Sequence, residues 1–173
     1  MRAAASPSFF DRARWFAAAG IVLAGLCAIV GSLSDWAVIT EREIAENVDF
    51  GEQTDELEPG QGESFAGVED RDGRLTLAGG IGLIAAAVAL AVRKTTGFAW
   101  LAFWVSLAVG GIAFADYRTV STNDAAPRGI LLRHEVGVEA SPGVGLTLVA
   151  AAGMLGVISS VAGVAATPRH DGV

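Results

Sequence analysis

VGLTLVAAAGMLGVISSVAGVAA, residues 144–166, contains no charged side chain and decides the fold. An α-helix rises about 1.5 Å per residue, so a stretch of this length covers the roughly 30 Å hydrocarbon core of a bilayer. Three earlier blocks are of the same kind: Trp15–Leu33, Leu75–Val92 and Gly97–Ala115. None holds Asp, Glu, Lys, Arg or His. Lipid offers no partner to backbone amides and carbonyls, and a helix satisfies them within itself. The chain is therefore predicted to be an all-α membrane protein with four transmembrane helices. The bulk numbers agree: 52% of the 173 residues are hydrophobic, Gly adds 22 positions, and mean hydropathy is +0.48. Such a composition excludes a soluble enzyme and a disordered chain. A single cysteine excludes an internal disulfide framework.

Arg2, Arg12 and Arg14 precede the first block, as bases do in a secretory signal. The apolar run is longer than the roughly 7–15 residues of such a signal, and no A-x-A site follows it. Leu23-Ala24-Gly25-Leu26-Cys27 approximates a lipoprotein processing site. Leu26, however, stands where a small residue is needed, and apolar sequence continues to Leu33. Cys27 is expected to be a small core residue of the first span.

Positive charge stays on the cytoplasmic side of short connections. The tail 1–14, the turn 93–96 and the tail 167–173 together hold six Lys or Arg against two acids. A four-span path puts all three segments on one side. Both termini are thus predicted to be cytoplasmic, at a plasma membrane, with the loops 34–74 and 116–143 outside. The first loop carries thirteen acids against three bases, more than the whole net charge of −7.

The chain reads as two copies of one helix–loop–helix unit in parallel orientation. Gly67-Val68-Glu69 recurs as Gly137-Val138-Glu139, and Gly73 has its counterpart in Gly143. Leu75-Thr76-Leu77 recurs as Leu146-Thr147-Leu148, and Asp35-Trp36 as Asp116-Tyr117. The latter pairs close an outgoing span, where Trp and Tyr favour the headgroup level.

Within the first loop, Glu41–Val48 is rich in helix formers and predicts a short helix. Phe50–Gly67 is rich in acids, Gly and Pro and reads as mobile, and Asp72-Gly73 reads as a turn. In the second loop, Asp116–Val120 should continue the third helix and Asn123–Pro127 should break it. Ile130-Leu131-Leu132 should pair as a strand or lie against the first loop. A small external cap of short strands follows from this reading, with Ser141-Pro142-Gly143 leading into the last span.

Glu69, Asp70 and Asp72 offer oxygen ligands to a hard divalent cation, but the spacing lacks the glycine and terminal Glu of a calcium loop. A solvated acidic surface is the expectation. Arg118, Arg128, Arg133 and His134 suit either an anionic ligand or pairing with the acids of the first loop, and pairing is expected. His134 and His170 fall on opposite sides of the membrane and share no metal. No catalytic, cofactor-binding or metal-binding residue is assigned. Inside the spans the polar inventory is Ser106, Thr147, Ser159, Ser160 and Cys27, residue types that bond helices together. Gly79, Gly80 and Gly82, and the face Ala152-Gly156-Ser160 at four-residue spacing, predict close helix approach. Trp100, Phe103 and Trp104 form an aromatic stripe, read as ordinary packing beside a lipid-facing or partner-facing alternative. Neither a phosphate loop, a nucleophile motif nor a basic nucleic-acid surface is present.

Asp72-Gly73-Arg74-Leu75 and Pro142-Gly143-Val144-Gly145, each leading into a span, together with the aromatic after the first span, resemble small uncharacterised four-span membrane proteins of haloarchaea and actinobacteria. The topology is also similar to that of claudins, without their loop motif of Trp, Gly-Leu-Trp and two cysteines. The resemblance implies a four-helix bundle and carries over no functional residue.

The expected function is non-enzymatic: an accessory subunit or assembly scaffold acting through helix and loop contacts. Its partners would be the lipid bilayer and either a membrane protein or further copies of itself, with no cofactor. The alternative is a small transporter or channel component, in which several copies gather Ser106 or Ser159 around a shared pore.

Overall fold

The computed structural model describes residues 9–41, 63–121 and 138–167. Its four long helices are α1 (Phe9–Leu33), α2 (Arg71–Arg93), α3 (Thr96–Ser121) and α4 (Val144–Ala166). All four are long and apolar enough to cross a membrane. At 1.5 Å per residue they measure about 34–39 Å, so each spans the hydrocarbon core with helix left over at its ends. The chain is a multi-pass, all-α membrane protein with a small sheet at one end of the bundle.

The bounds of α4 coincide with its apolar block. The other three helices overrun theirs. α1 begins at Phe9 rather than Trp15, α2 at Arg71 rather than Leu75, and α3 runs on to Ser121 as the sequence leads one to expect. Charge ends an apolar block without ending a helix, because the backbone ladder continues through the headgroup layer. Asp72-Gly73, expected as a turn, lies instead in the first turn of α2. The start of that helix is set by Asp70, whose side chain accepts from the Arg71 N–H at 2.7 Å. Gly73 answers a different demand: a Cβ there would strike the Gly67 carbonyl.

α1 packs against α2 and α4, and α3 packs against the same two, so α1 and α3 stand diagonally across an antiparallel bundle. Lipid tails are as apolar as Leu, so helices associate here by close packing and hydrogen bonds. Glycine permits the approach. A Cβ on Gly25 would lie 2.7 Å from the Gly80 carbonyl oxygen, joining α1 to α2. One on Gly31 would lie 2.7 Å from the Gly145 carbonyl oxygen, joining α1 to α4. One on Gly153 would lie 2.5 Å from the Gly110 Cα, joining α4 to α3. The predicted small face is real: Ala152, Gly156 and Ser160 are all buried, and Gly156 sits on the Ser106 side chain. Gly79 packs on Val109, whereas Gly82 has open space around it. Large side chains such as Leu23, Ile81, Leu107 and Ile158 face outward, as a lipid-facing surface requires.

The expected cap of short strands is present. β1 (Asp35–Glu41) pairs antiparallel with β2 (Glu63–Ala66) on one side and β3 (Val138–Pro142) on the other. A single 3-10 turn, Gly67–Glu69, links β2 to α2. Glu41, expected to open a short helix, instead closes β1. The rest of Glu41–Val48, along with Asn123–Pro127 and Ile130-Leu131-Leu132, lies outside the described residues. The two matched motifs differ locally: Gly67-Val68-Glu69 is the 3-10 turn, while Val138 and Glu139 are in β3. Leu75-Thr76-Leu77 and Leu146-Thr147-Leu148 lie near the starts of α2 and α4.

Overpacking a tight core costs about 1–3 kcal/mol. Gly25→Val, Gly31→Val and Gly153→Val should each lower the thermal midpoint in mild detergent, followed by loss of the monodisperse size-exclusion peak. Gly82→Ala and Gly111→Ala, with nothing within 4 Å of the added carbon, should not.

Candidate functional site

The end of the bundle under the sheet is closed by Trp36. The registers of β1 against β2 pair Asp35 with Ala66 and Ala37 with Phe65, which leaves Trp36 as the extra residue of a bulge. A bulge re-aims a side chain. The indole is only 2% exposed and packs with Ala28, Val109, Leu146 and Val149. Its Nε1–H donates to the Gly31 carbonyl in the last turn of α1 at 2.9 Å, an oxygen that also accepts from the Ser34 N–H at 3.3 Å. The Trp36 carbonyl accepts from the Gly143 N–H at 2.8 Å, and the Ser34 carbonyl accepts from the Gly67 N–H at 3.2 Å. Trp36 is therefore a plug in the protein interior, where sequence placed it among lipid headgroups. Tyr117, its proposed counterpart, is exposed on α3.

Beside the plug, acids gather at the start of α2 and the end of α3. Asp70 caps α2, Asp72 sits in its first turn, and Glu69 belongs to the 3-10 turn. Asp116 on α3 has one buried oxygen, Oδ2, without a hydrogen-bond partner, and Asp72 and Asp70 are near enough to repel its charge. The Arg74 Nε–H donates to the Val68 carbonyl, next to Glu69, at 3.0 Å. Among the described residues, no group of three His, Cys, Asp or Glu is disposed to hold a metal ion. Arg118 lies on α3, whereas Arg128, Arg133, His134 and His170 fall outside the described residues.

The polar residues of the spans join helices to one another. The Ser32 and Thr76 hydroxyls lie 2.7 Å apart between α1 and α2; one donates to the other, whose own proton goes to a carbonyl of its helix, that of Ala28 from Ser32 or that of Gly73 from Thr76. Ser106 donates to the Ala102 carbonyl at 2.7 Å and lies against Gly156; Ser159 lies against Gly20. Both serines are buried inside one bundle, away from any surface that several copies would share. Thr147 is exposed, and Cys27 is a free, half-buried thiol packed against the buried cluster around Trp36.

The opposite end of the bundle is basic and aromatic. Arg14 of α1 is 4% exposed, and its Nη2 lies 2.7 Å from Asp11 Oδ1. Lys94, in the turn between α2 and α3, has its Nζ 3.8 Å from the same oxygen. The aromatic stripe of α3 is self-contacting: Phe103 makes edge-to-face contacts with Trp100 at 5.6 Å and Trp104 at 5.3 Å. Both tryptophans are exposed, while Phe103 is half-buried. Sequence reading used Arg14 and Lys94 only as topology signals and foresaw neither the burial of the one nor the contact of the other with Asp11. The helical phase could have placed Arg14, since it falls in step with buried Ala17, Ala18 and Ile21. Neither a protein-family model nor a curated protein sequence matches the chain.

The geometry of Asp70 yields a test of the cation reading. A cap needs only a short side-chain acceptor, so Asp70→Asn should keep the thermal midpoint while Asp70→Ala lowers stability by about 1 kcal/mol. A carboxylate ligand would be lost in both, and with it any stabilisation by micromolar calcium. Equal thermal shifts for the two variants, calcium-dependent in the parent, would contradict the capping role.

Proposed function

We propose that this protein catalyses no reaction and works as an accessory subunit or assembly scaffold, through contacts of its helices and external loops. The observation that carries this reading is the bundle interior. Between the Arg14 level and the sheet, the described inward positions are Gly, Ala, Ser and Thr with a few Leu, Ile and Val. Ion and proton pathways ordinarily need intramembrane carboxylates, amines or imidazoles. Close glycine packing supports a self-contained bundle whose free surfaces are its outer faces and ends. We place the basic end in the cytoplasm and the sheet outside a plasma membrane, on the strength of the six bases in the tails and the short turn. The recurrence of Gly-Val-Glu ahead of α2 and α4, and of Leu-Thr-Leu near their starts, supports descent of the two halves from one helix–loop–helix unit.

Crosslinking in intact membranes, followed by purification in gentle detergent, tests the scaffold reading. One partner, or one homo-oligomer, should be recovered at fixed stoichiometry. A strictly monomeric chain under several mild conditions would contradict it. Orientation is tested in a Cys27→Ser background with an impermeant thiol reagent. Glu56→Cys and Asp124→Cys should label from outside, and Thr95→Cys and Asp171→Cys only after the membrane is opened. The reverse pattern would invert the topology.

A further inference from the structure

One end of the bundle collects positive charge that the described protein does not neutralise. Arg12 and Arg14 from the start of α1 share this end with Arg93, the last residue of α2, and its C-cap Lys94; Asp11, the one described carboxylate there, contacts both Arg14 and Lys94. Arg12, Arg93 and Lys94 are exposed. Lys94 adopts φ 56°, the only positive φ among the described non-glycine residues, at a helix C-cap where glycine would be free of strain. A lysine held there keeps a cation at this surface despite its backbone conformation. On the same stretch of α1, Phe9, Phe10, Trp15 and Phe16 project outward and are more than half exposed. Trp15 is of the amphipathic type that settles at the boundary between acyl chains and headgroups, and the phenylalanines beside it face the acyl chains. The basic cluster therefore sits at the depth of lipid phosphates, and its charge is complementary to theirs.

We propose that this surface binds the headgroup of an anionic phospholipid, with Arg12, Arg93 and Lys94 contacting the phosphate and the α1 aromatics lying against its acyl chains. Arg14 supports the site by its field, since its guanidinium is buried against Asp11. At the opposite end Arg71, Arg74 and Arg118 are outnumbered by acids, among them Asp35, Glu69, Asp70, Asp72 and Asp116. The aromatic flank selects a bilayer lipid over soluble phosphate, and the proposal does not depend on which leaflet the cluster meets.

The test uses the full chain in liposomes, with tryptophan fluorescence quenched by lipids brominated in their acyl chains. Trp100→Phe and Trp104→Phe leave exposed Trp15 as reporter, because Trp36 is buried at the far end. Brominated phosphatidylglycerol should outcompete brominated phosphatidylcholine for the Trp15 surface about fivefold, the factor expected for roughly one effective cation near an anionic headgroup. Arg12→Gln, Arg93→Gln and Lys94→Gly together should bring the ratio to about one, with Lys94→Gly retaining the left-handed cap. The charge-preserving pair Arg12→Lys and Arg93→Lys should keep the preference. A parent ratio near one would overturn the proposal. So would a preference that survives in the neutral triple variant, or one lost equally in the neutral and the charge-preserving variants.

Discussion

At Gly31 the first helix approaches the fourth so closely that one added methyl would strike the Gly145 carbonyl, and there its own carbonyl takes the indole proton of Trp36. Much of the architecture at the sheet end hangs on that point. The contact fixes where α1 ends, so β1 leaves the bundle at Asp35 with its bulged tryptophan turned inward. The Trp36 carbonyl then receives Gly143, which opens α4, and a Cβ on Gly143 would collide with Asp35. Ser34 receives Gly67, and Gly67 in turn leaves room for the indole. Two loops that enter from different helices are thereby fastened to the same two or three residues. The physical demand is the one lipid makes everywhere: a backbone acceptor near the bilayer must find a partner within the protein.

The rest of the bundle repeats the same solution at other heights. Gly25 meets Gly80, Gly110 meets Gly153, and the Ser32–Thr76 hydrogen bond adds a polar tie between α1 and α2. Such packing spends the interior on helix contacts and leaves the ends to carry the charge. Acids surround the sheet, and bases surround the α2–α3 turn. A molecule built this way interacts through its ends and its outer faces, and this links the packing to the scaffold reading.

The four spans were legible because a charge-free run of span length has few other physical uses. The small face Ala152-Gly156-Ser160 was legible because four-residue spacing stacks side chains along one helix face. Helix ends were less so: Asp11, Arg12 and Arg14 are helical although they lie outside the apolar block. Asp72-Gly73 misled because its dipeptide chemistry suits a turn, while the cap one residue earlier and the Gly67 contact together hold it in a helix. Trp36 was misplaced for a different reason. Its burial depends on a bulge defined by register against β2, a residue pairing some thirty positions away that composition cannot express. Lys94 was invisible as a special position, since a left-handed cap is normally signalled by glycine or asparagine.

The central claim is that Trp36 plugs the bundle through the Gly31 carbonyl, and solid-state NMR in lipid bilayers tests it directly. With tryptophan labelled by 15N in the indole ring and glycine by 13C at the carbonyl, one indole nitrogen should recouple to a glycine carbonyl at hydrogen-bond range, consistent with a nitrogen–oxygen distance of 2.9 Å. That signal should vanish in Trp36→Phe, and its proton should exchange slowly with water. An indole of Trp36 that shows no glycine carbonyl neighbour and exchanges freely would contradict the account.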